Sequence, residues 1–207
     1  MTNTGADLEI KIHPIGSLRT RININGDVDY LNVHTIRIKW GKHAKTGSEH
    51  SYGPYRHAGE IQVFHDINEK VGGKKHAIAF FISERQNPPN PAWAEFIPLA
   101  RINCRSVGDT YTLTSPPSLR NLIGEDASRR DIVYLSHRLL EYTRYQGSTT
   151  TAPCEEYIWT VFKNHLYLSK AQFTQLRSIE QPYSIQGRRS TAAGQVACRT
   201  IGSMWER

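Results

Sequence analysis

A β-rich fold, all-β or α+β, is what this sequence predicts, and three observations predict it. Residues 18–24, LRTRINI, alternate Leu18, Thr20, Ile22 and Ile24 against Arg19, Arg21 and Asn23, the period of a half-buried strand. Residues 30–40 and 59–65 alternate in the same way. Residues 77–83, AIAFFIS, are nearly all apolar and β-prone, as a central strand buried on both faces requires. With 207 residues, 38% of them hydrophobic, the chain can bury one core, and one domain is the expectation.

The N-terminus, MTNTGADLEIKIHPIG, lacks the order of basic, apolar and small residues that marks a signal peptide, and no apolar run reaches 18 residues. After the strand at 18–24, NGD at 25–27 is turn chemistry. In the strand at 30–40, His34, Ile36, Ile38 and Trp40 are expected on one face, with Val33, Thr35, Arg37 and Lys39 on the other. In 59–65, Glu60, Gln62 and Phe64 point one way and Ile61, Val63 and His65 the other. RQNPPNP at 85–91 and TSPPS at 114–118 are proline-rich loops. A helix is predicted over 90–102, with Asn90 as N-cap and Pro91 at its first position; Pro98 should disturb its last turns. EYIWTVF at 156–162 and LYL at 166–168 read as two more strands. A helix follows over 169–179, where Ser169 and Gln172 form a capping-box pattern and Phe173 and Leu176 share a face. From Glu180 to Arg207 little periodic apolar content remains, so a loosely ordered tail is expected after a single domain of residues 1–179. The sequence carries no internal repeat.

The net charge is +7, yet the basic residues are scattered, and the densest groups, GGKKH and GRR, have no interleaved aromatics. That pattern describes a solvated basic surface better than a nucleic-acid footprint. Three cysteines, Cys104, Cys154 and Cys198, match no zinc-finger spacing and allow at most one internal disulfide.

Residues 34–68 hold five of the nine histidines, which raises the question of a metal site. A catalytic zinc needs three protein ligands converging from fixed strands, with a fourth position open to water. Two ligands at i and i+2 on one strand and a third on its neighbour would serve. The positions with that geometry are Arg37, Lys39 and Gln62: two cations that repel a divalent ion and one weak neutral oxygen donor.

The stretches WGKHAKTGSEHSYGPYRHAGEIQVFHDIN and YQGSTTTAPCEEYIWTVF resemble the α-class carbonic anhydrase family, whose pattern reads H-x-H-W-G, G-S-E-H, A-E-x-H-x-x-H and later Y-x-G-S-x-T-T-P-P. The resemblance implies a central twisted, mainly antiparallel sheet with short peripheral helices. It also implies that parts of the usual N-terminal and C-terminal segments are missing, since the segment that normally precedes residues 18–24 and the closing strands after Ile179 are not recognisable. Carried over by position, the three zinc ligands fall on Arg37, Lys39 and Gln62. The carboxylate that orients the third ligand falls on Glu60, and the pair that orients zinc-bound hydroxide on Thr150 and Glu49. A wall residue of the substrate pocket falls on Phe64, beside Thr149 and Thr151. Arginine at the first ligand position and glutamine at the third are similar to the catalytically silent carbonic anhydrase-related proteins, most of all the branch of types ten and eleven.

That resemblance implies a secreted, non-catalytic module without zinc or other cofactor, with Glu49, Thr150 and Glu60 as remnants of the catalytic machinery. Its partner would be another protein, such as a cell-surface receptor or adhesion protein, with no nucleic acid and no membrane span. Weak binding of anionic glycans is a variant; a structural subunit of a larger assembly and a zinc hydratase with a relocated ligand set are the alternatives. The family pairs the cysteine at Cys154 with an N-terminal cysteine that this chain lacks, which would leave Cys154 free. His50 and His65 are expected to be structural, and His34, His43 and His57 to lie near the surface. Arg37 and Lys39 form either a plug salt-bridged by Glu49 or Glu60 or an open anion-binding cleft, and the cost of unpaired buried cations favours the plug.

Overall fold

The structure, a computed structural model, describes residues 1–14, 16–24, 27–51, 54–67, 73–114, 122–123, 141–151 and 153–182, and only the backbone of 21–24 and 27–29. Its strands are β1 (Thr2–Asn3), β2 (Leu8–Lys11), β3 (Arg19–Ile24), β4 (Asp27–Trp40), β5 (Gly59–His65), β6 (His76–Arg85), β7 (Tyr142–Ser148) and β8 (Glu156–Ser169). They form one sheet in the order β1-β2-β4-β5-β6-β8-β7, with β3 paired to the first half of β4. Every pairing is antiparallel except that of β6 with β8. The fold is β-rich and mainly antiparallel, with few short helices, as the sequence predicts.

One face of the sheet carries the larger core. Ile36, Ile38 and Trp40 of β4, Ile61 and Val63 of β5, Ile78, Phe80 and Ile82 of β6, and Leu166 and Leu168 of β8 cluster there with residues of two helices, α1 (Phe96–Asn103) and α2 (Lys170–Arg177). The other face holds a smaller cluster of Phe64, Ala77, Ala79, Phe81, Tyr157, Trp159 and Val161, beside which the polar site lies. Strict alternation along β4 places Val33 with Thr35, but the register slips between Val33 and Thr35. The bulge turns Val33 to the core face opposite His65, and it brings the His34 ring within 6.3 Å of Phe64 on the other side.

The N-terminus departs most from expectation. LEIKI at 8–12 alternates Leu8, Ile10 and Ile12 against Glu9 and Lys11, and its first four residues form β2, paired with β4 from Leu8↔Ile38 to Lys11↔Thr35. The two strands expected at 156–162 and 166–168 are one, β8, interrupted by an irregularity opposite Phe81. The helix expected over 90–102 divides into a 3₁₀ turn at Pro91–Trp93, capped by the Asn90 side chain, and α1. Because α1 starts at Phe96, Pro98 falls in its first turn, where a backbone N–H has no acceptor within the helix, so it does not disturb the last turns. Residues 180 and 181 are tied down: Glu180 N–H donates to the Arg105 carbonyl, and Gln181 Nε2 donates to the Ala6 carbonyl. The rest of the expected tail, 183–207, and most of the proline-rich loop at 114–118 lie outside the described residues.

At the start of α2, Ser169 Oγ accepts from the Gln172 N–H at 3.2 Å and Gln172 Oε1 accepts from the Ser169 N–H at 3.0 Å, a complete capping box. Ser169→Ala is expected to cost about 0.5–2 kcal/mol, read as a lowered midpoint in urea unfolding with an unchanged slope. An unchanged midpoint would show that the cap contributes nothing.

Candidate functional site

Cross-strand register assembles the site. Arg37 of β4 faces Glu9 on β2 and Gln62 on β5, and Lys39 faces Glu60 on β5. Asp7, immediately before β2, continues that strand's row toward Lys39. Glu49 arrives on the loop between β4 and β5, which is closed at its base by Gly41 N–H to the Ala58 carbonyl (3.1 Å) and Gly47 N–H to the His57 carbonyl (2.8 Å). A Cβ on Gly47 would collide with the Ala58 carbonyl, so only glycine permits this approach. Thr149, Thr150 and Thr151 come from the segment between β7 and β8.

At the centre, the Lys39 ammonium lies 2.8 Å from Asp7 Oδ2 and 3.2 Å from Glu49 Oε1, all three side chains nearly free of solvent. Burial works to raise the Asp7 and Glu49 carboxyls, but Lys39 outweighs it and holds both below the ordinary carboxylate range. Burial likewise works to lower Lys39, and Glu49 and Asp7 outweigh it, so the ammonium stays charged with a raised pKa. Thr150 Oγ1 donates a short hydrogen bond to Glu49 Oε1, and Gln62 Nε2 donates to Glu49 Oε2 (3.1 Å) and to Glu60 Oε1 (2.9 Å).

Glu60, fully buried, does not reach Lys39. It accepts from the backbone N–H groups of Glu49 (2.8 Å) and His50 (2.9 Å) and is hydrogen-bonded to His50 Nδ1, while His50 Nε2 meets the Tyr145 hydroxyl at 2.6 Å. Burial alone would raise Glu60, but the His50 ring and these hydrogen bonds bring it down to about 2. Burial together with Glu60 and Glu49 pushes the Tyr145 phenol up. Nearer the surface, the Arg37 guanidinium bonds Glu9 Oε2 through Nε (3.3 Å) and Nη2 (3.1 Å). It donates to Thr151 Oγ1 through Nη1 (3.3 Å) and lies over the Phe64 ring at 5.1 Å. Thr149 turns inward, its hydroxyl donating to the Thr151 carbonyl.

The sequence-predicted residues Arg37, Lys39, Gln62, Glu49, Glu60, Thr150, Thr151 and Phe64 thus meet in one connected group. The cations are salt-bridged, Lys39 by Glu49 as one of the two expected carboxylates and not by Glu60. The remaining counter-ions, Asp7 and Glu9, were missed because residues 1–12 received no strand; the LEIKI alternation was the signal that could have found them. Cys154 is disulfide-bonded, against the expectation of a free thiol, its partner lying outside the described residues. Cys104 is free and buried. His57 is half-buried against Phe81, deeper than expected.

The zinc implied by the fold does not fit these residues. A guanidinium, an ammonium and an amide supply no imidazole or carboxylate at the three ligand positions, and the Asp7 and Glu49 carboxylates are already neutralised by Lys39. Among the described residues, no group of three His, Cys, Asp or Glu side chains is placed to hold a metal ion.

The chain matches the eukaryotic-type carbonic anhydrase family over residues 1–193. It belongs to that family. Its similarity to individual carbonic anhydrases is moderate: 29% identity to carbonic anhydrase 4 of Rattus norvegicus over 146 residues, covering 67% of this chain and 43% of that protein. Carbonic anhydrase 6 of Homo sapiens is 26% identical over 189 residues, 86% of this chain and 55% of that protein. Carbonic anhydrase 15 of Mus musculus is 28% identical over 155 residues, 70% and 44% respectively. The chain spans about half the length of the curated carbonic anhydrases it matches. Among the described residues, no helix is long and apolar enough to cross a membrane.

Proposed function

We propose that this carbonic anhydrase family member is non-catalytic, most like the branch of types ten and eleven, and acts as a protein-binding module. The observation that carries this is Lys39: a buried ammonium bridging Asp7 and Glu49 at one former zinc-ligand position, flanked by Arg37 and Gln62 at the other two. Metal-assisted hydration needs an open coordination position and a water whose proton is lost near neutral pH. Here the carboxylate of Glu49, paired by resemblance with Thr150 in orienting that nucleophile, is committed to Lys39, Gln62 and Thr150.

Retention of Glu49, Glu60 and Thr150 has a structural reason. Each is a hydrogen-bonding partner in a buried network, and orphaning one such group costs about 1–3 kcal/mol. The partner in this proposal is another protein, such as a cell-surface receptor or adhesion protein. The location is extracellular, and the module is one domain over residues 1–179.

The test is stopped-flow carbon dioxide hydration in zinc-containing buffer. The expected result is no acceleration over buffer. Chelator-sensitive turnover at the level of an ordinary carbonic anhydrase would sink the proposal and return the zinc hydratase with relocated ligands to first place.

A further inference from the structure

We infer that His57, His165 and Ser83 form a binding site for a divalent transition-metal ion, apart from the positions the family uses for zinc. Ser83 lies on β6, two residues beyond Phe81 and on the same face. Along β8 the register steps from Phe80↔Phe162 to Ile82↔Leu166, so three residues of β8 stand opposite one of β6. That irregularity sets His165 beside Ser83, the kind of re-aiming for which strand bulges are used. His57 is held by its own backbone: its N–H donates to Ser48 Oγ at 2.8 Å, and its carbonyl accepts from Gly47 and Ser48 at 2.8 and 3.1 Å.

These three segments bring three donor atoms together. Ser83 Oγ is 3.2 Å from His57 Nδ1 and 3.1 Å from His165 Nδ1, and the two imidazole rings are 4.1 Å apart at an angle of 62°. A hydroxyl has one hydrogen and can donate to only one of the rings, so the other contact needs an imidazole N–H as donor. An ion in that space would take a lone pair from each of the three atoms. Imidazole binds metals in its neutral form, the ordinary one at and above neutral pH.

The floor is the Phe81 ring, 4.4 Å from His57 and 5.9 Å from His165, and all three donor residues are half-buried, which leaves water access to complete the coordination. Two imidazoles and a hydroxyl suit copper, nickel or zinc, with copper bound most tightly in the usual order of these ions.

The probe is Cu²⁺, titrated into the full chain and followed by electron paramagnetic resonance. One ion per chain is expected, with two nitrogens in its hyperfine pattern. His165→Phe keeps a ring against Phe81 and removes the nitrogen; it should lower affinity at least 100-fold, and Ser83→Ala about tenfold. If circular dichroism shows His165→Phe to be misfolded, His57→Phe carries the same test. Copper bound equally tightly in these variants, or no stoichiometric copper in the parent chain, would overturn the site. Carbon dioxide hydration on the same proteins keeps the two proposals separable. Activity abolished by His165→Phe would sink the non-catalytic function while supporting metal here, and activity unaffected by it would sink that function alone.

Discussion

Lys39→Met is expected to destabilise the protein by about 3–5 kcal/mol, because it leaves two carboxylates buried without their cation. Asp7 and Glu49 sit 2.8 and 3.2 Å from the ammonium, and both owe their lowered pKa to it. In the variant the carboxylates must take up protons at neutral pH or stay charged in a dry interior, and either route costs free energy. For a chain of this length the loss corresponds to a fall in Tm on the order of 10 °C.

The triple variant Asp7→Asn, Lys39→Met, Glu49→Gln removes all three charges at nearly constant volume and should recover most of the loss, since an intact buried ion cluster contributes little over an apolar or amide replacement. Urea unfolding of the parent, single and triple variants closes the comparison. A single variant within about 1 kcal/mol of the parent would mean that Lys39 is not the counter-ion of these carboxylates.

The strands that carry the ligand positions were legible because each has a clean two-residue period and a β-prone composition. Arg37, Lys39 and Gln62 are therefore placed on facing strands by the sequence pattern alone. The counter-ions were not legible for a local reason. LEIK is four residues long, is followed after one residue by HPIG, and becomes a strand by pairing with β4 and β1, so tertiary context decides it. The Val33–Thr35 bulge was invisible for a related reason: alternation assumes an unbroken register, and one extra residue turns every side chain beyond it to the other face. The Ser83 cluster is illegible in sequence for the same cause, since His165 reaches it through an irregularity of β8 and His57 through a loop.

The two halves of the site now have different physical roles. The inner half, Glu60 with His50, Tyr145 and Gln62, is a hydrogen-bond network whose members each satisfy another, and it remains coherent with glutamine where the family has an imidazole. The outer half is electrostatic: Arg37 and Lys39 are tolerated only because β2 supplies Glu9, the residue before it supplies Asp7, and the loop supplies Glu49. Histidine in place of Arg37 would leave Glu9 without its guanidinium, and histidine in place of Lys39 would leave Asp7 and Glu49 without their ammonium.

Mild acid should destabilise this protein in two stages, beginning well above the range where carboxylates titrate. His65 is fully buried at the end of β5, its Nδ1 facing the His76 carbonyl at 3.1 Å and its Nε2 facing the Thr20 hydroxyl at 2.6 Å. A carbonyl can only accept, so Nδ1 carries a proton, and burial is what opposes a second one on Nε2. Burial, against a smaller opposing effect of the His76 carbonyl, lowers His65 to about 4 from an ordinary 6.5. Between those values the unfolded chain binds the proton and the folded one does not, so stability falls as pH falls from 6.5 to 4, by about 1.4 kcal/mol per pH unit and about 3 kcal/mol in all.

Glu60 has the opposite chemistry and the same sign. Its carboxyl is held down at about 2, so its contribution is complete above pH 4.5 and is lost as pH falls from there toward 2. Urea midpoints measured from pH 8 to pH 3 should therefore bend downward near 6.5 and steepen below 4.5. His65→Asn keeps an amide donor in the position of Nδ1 but has no proton to take up. It should be less stable at pH 8, because ring volume is lost, and should lose much of the slope between 6.5 and 4.5. What remains there reports the half-buried His57. A parent protein whose stability is flat down to pH 4.5 would show that His65 is protonated in the fold and that burial does not control it.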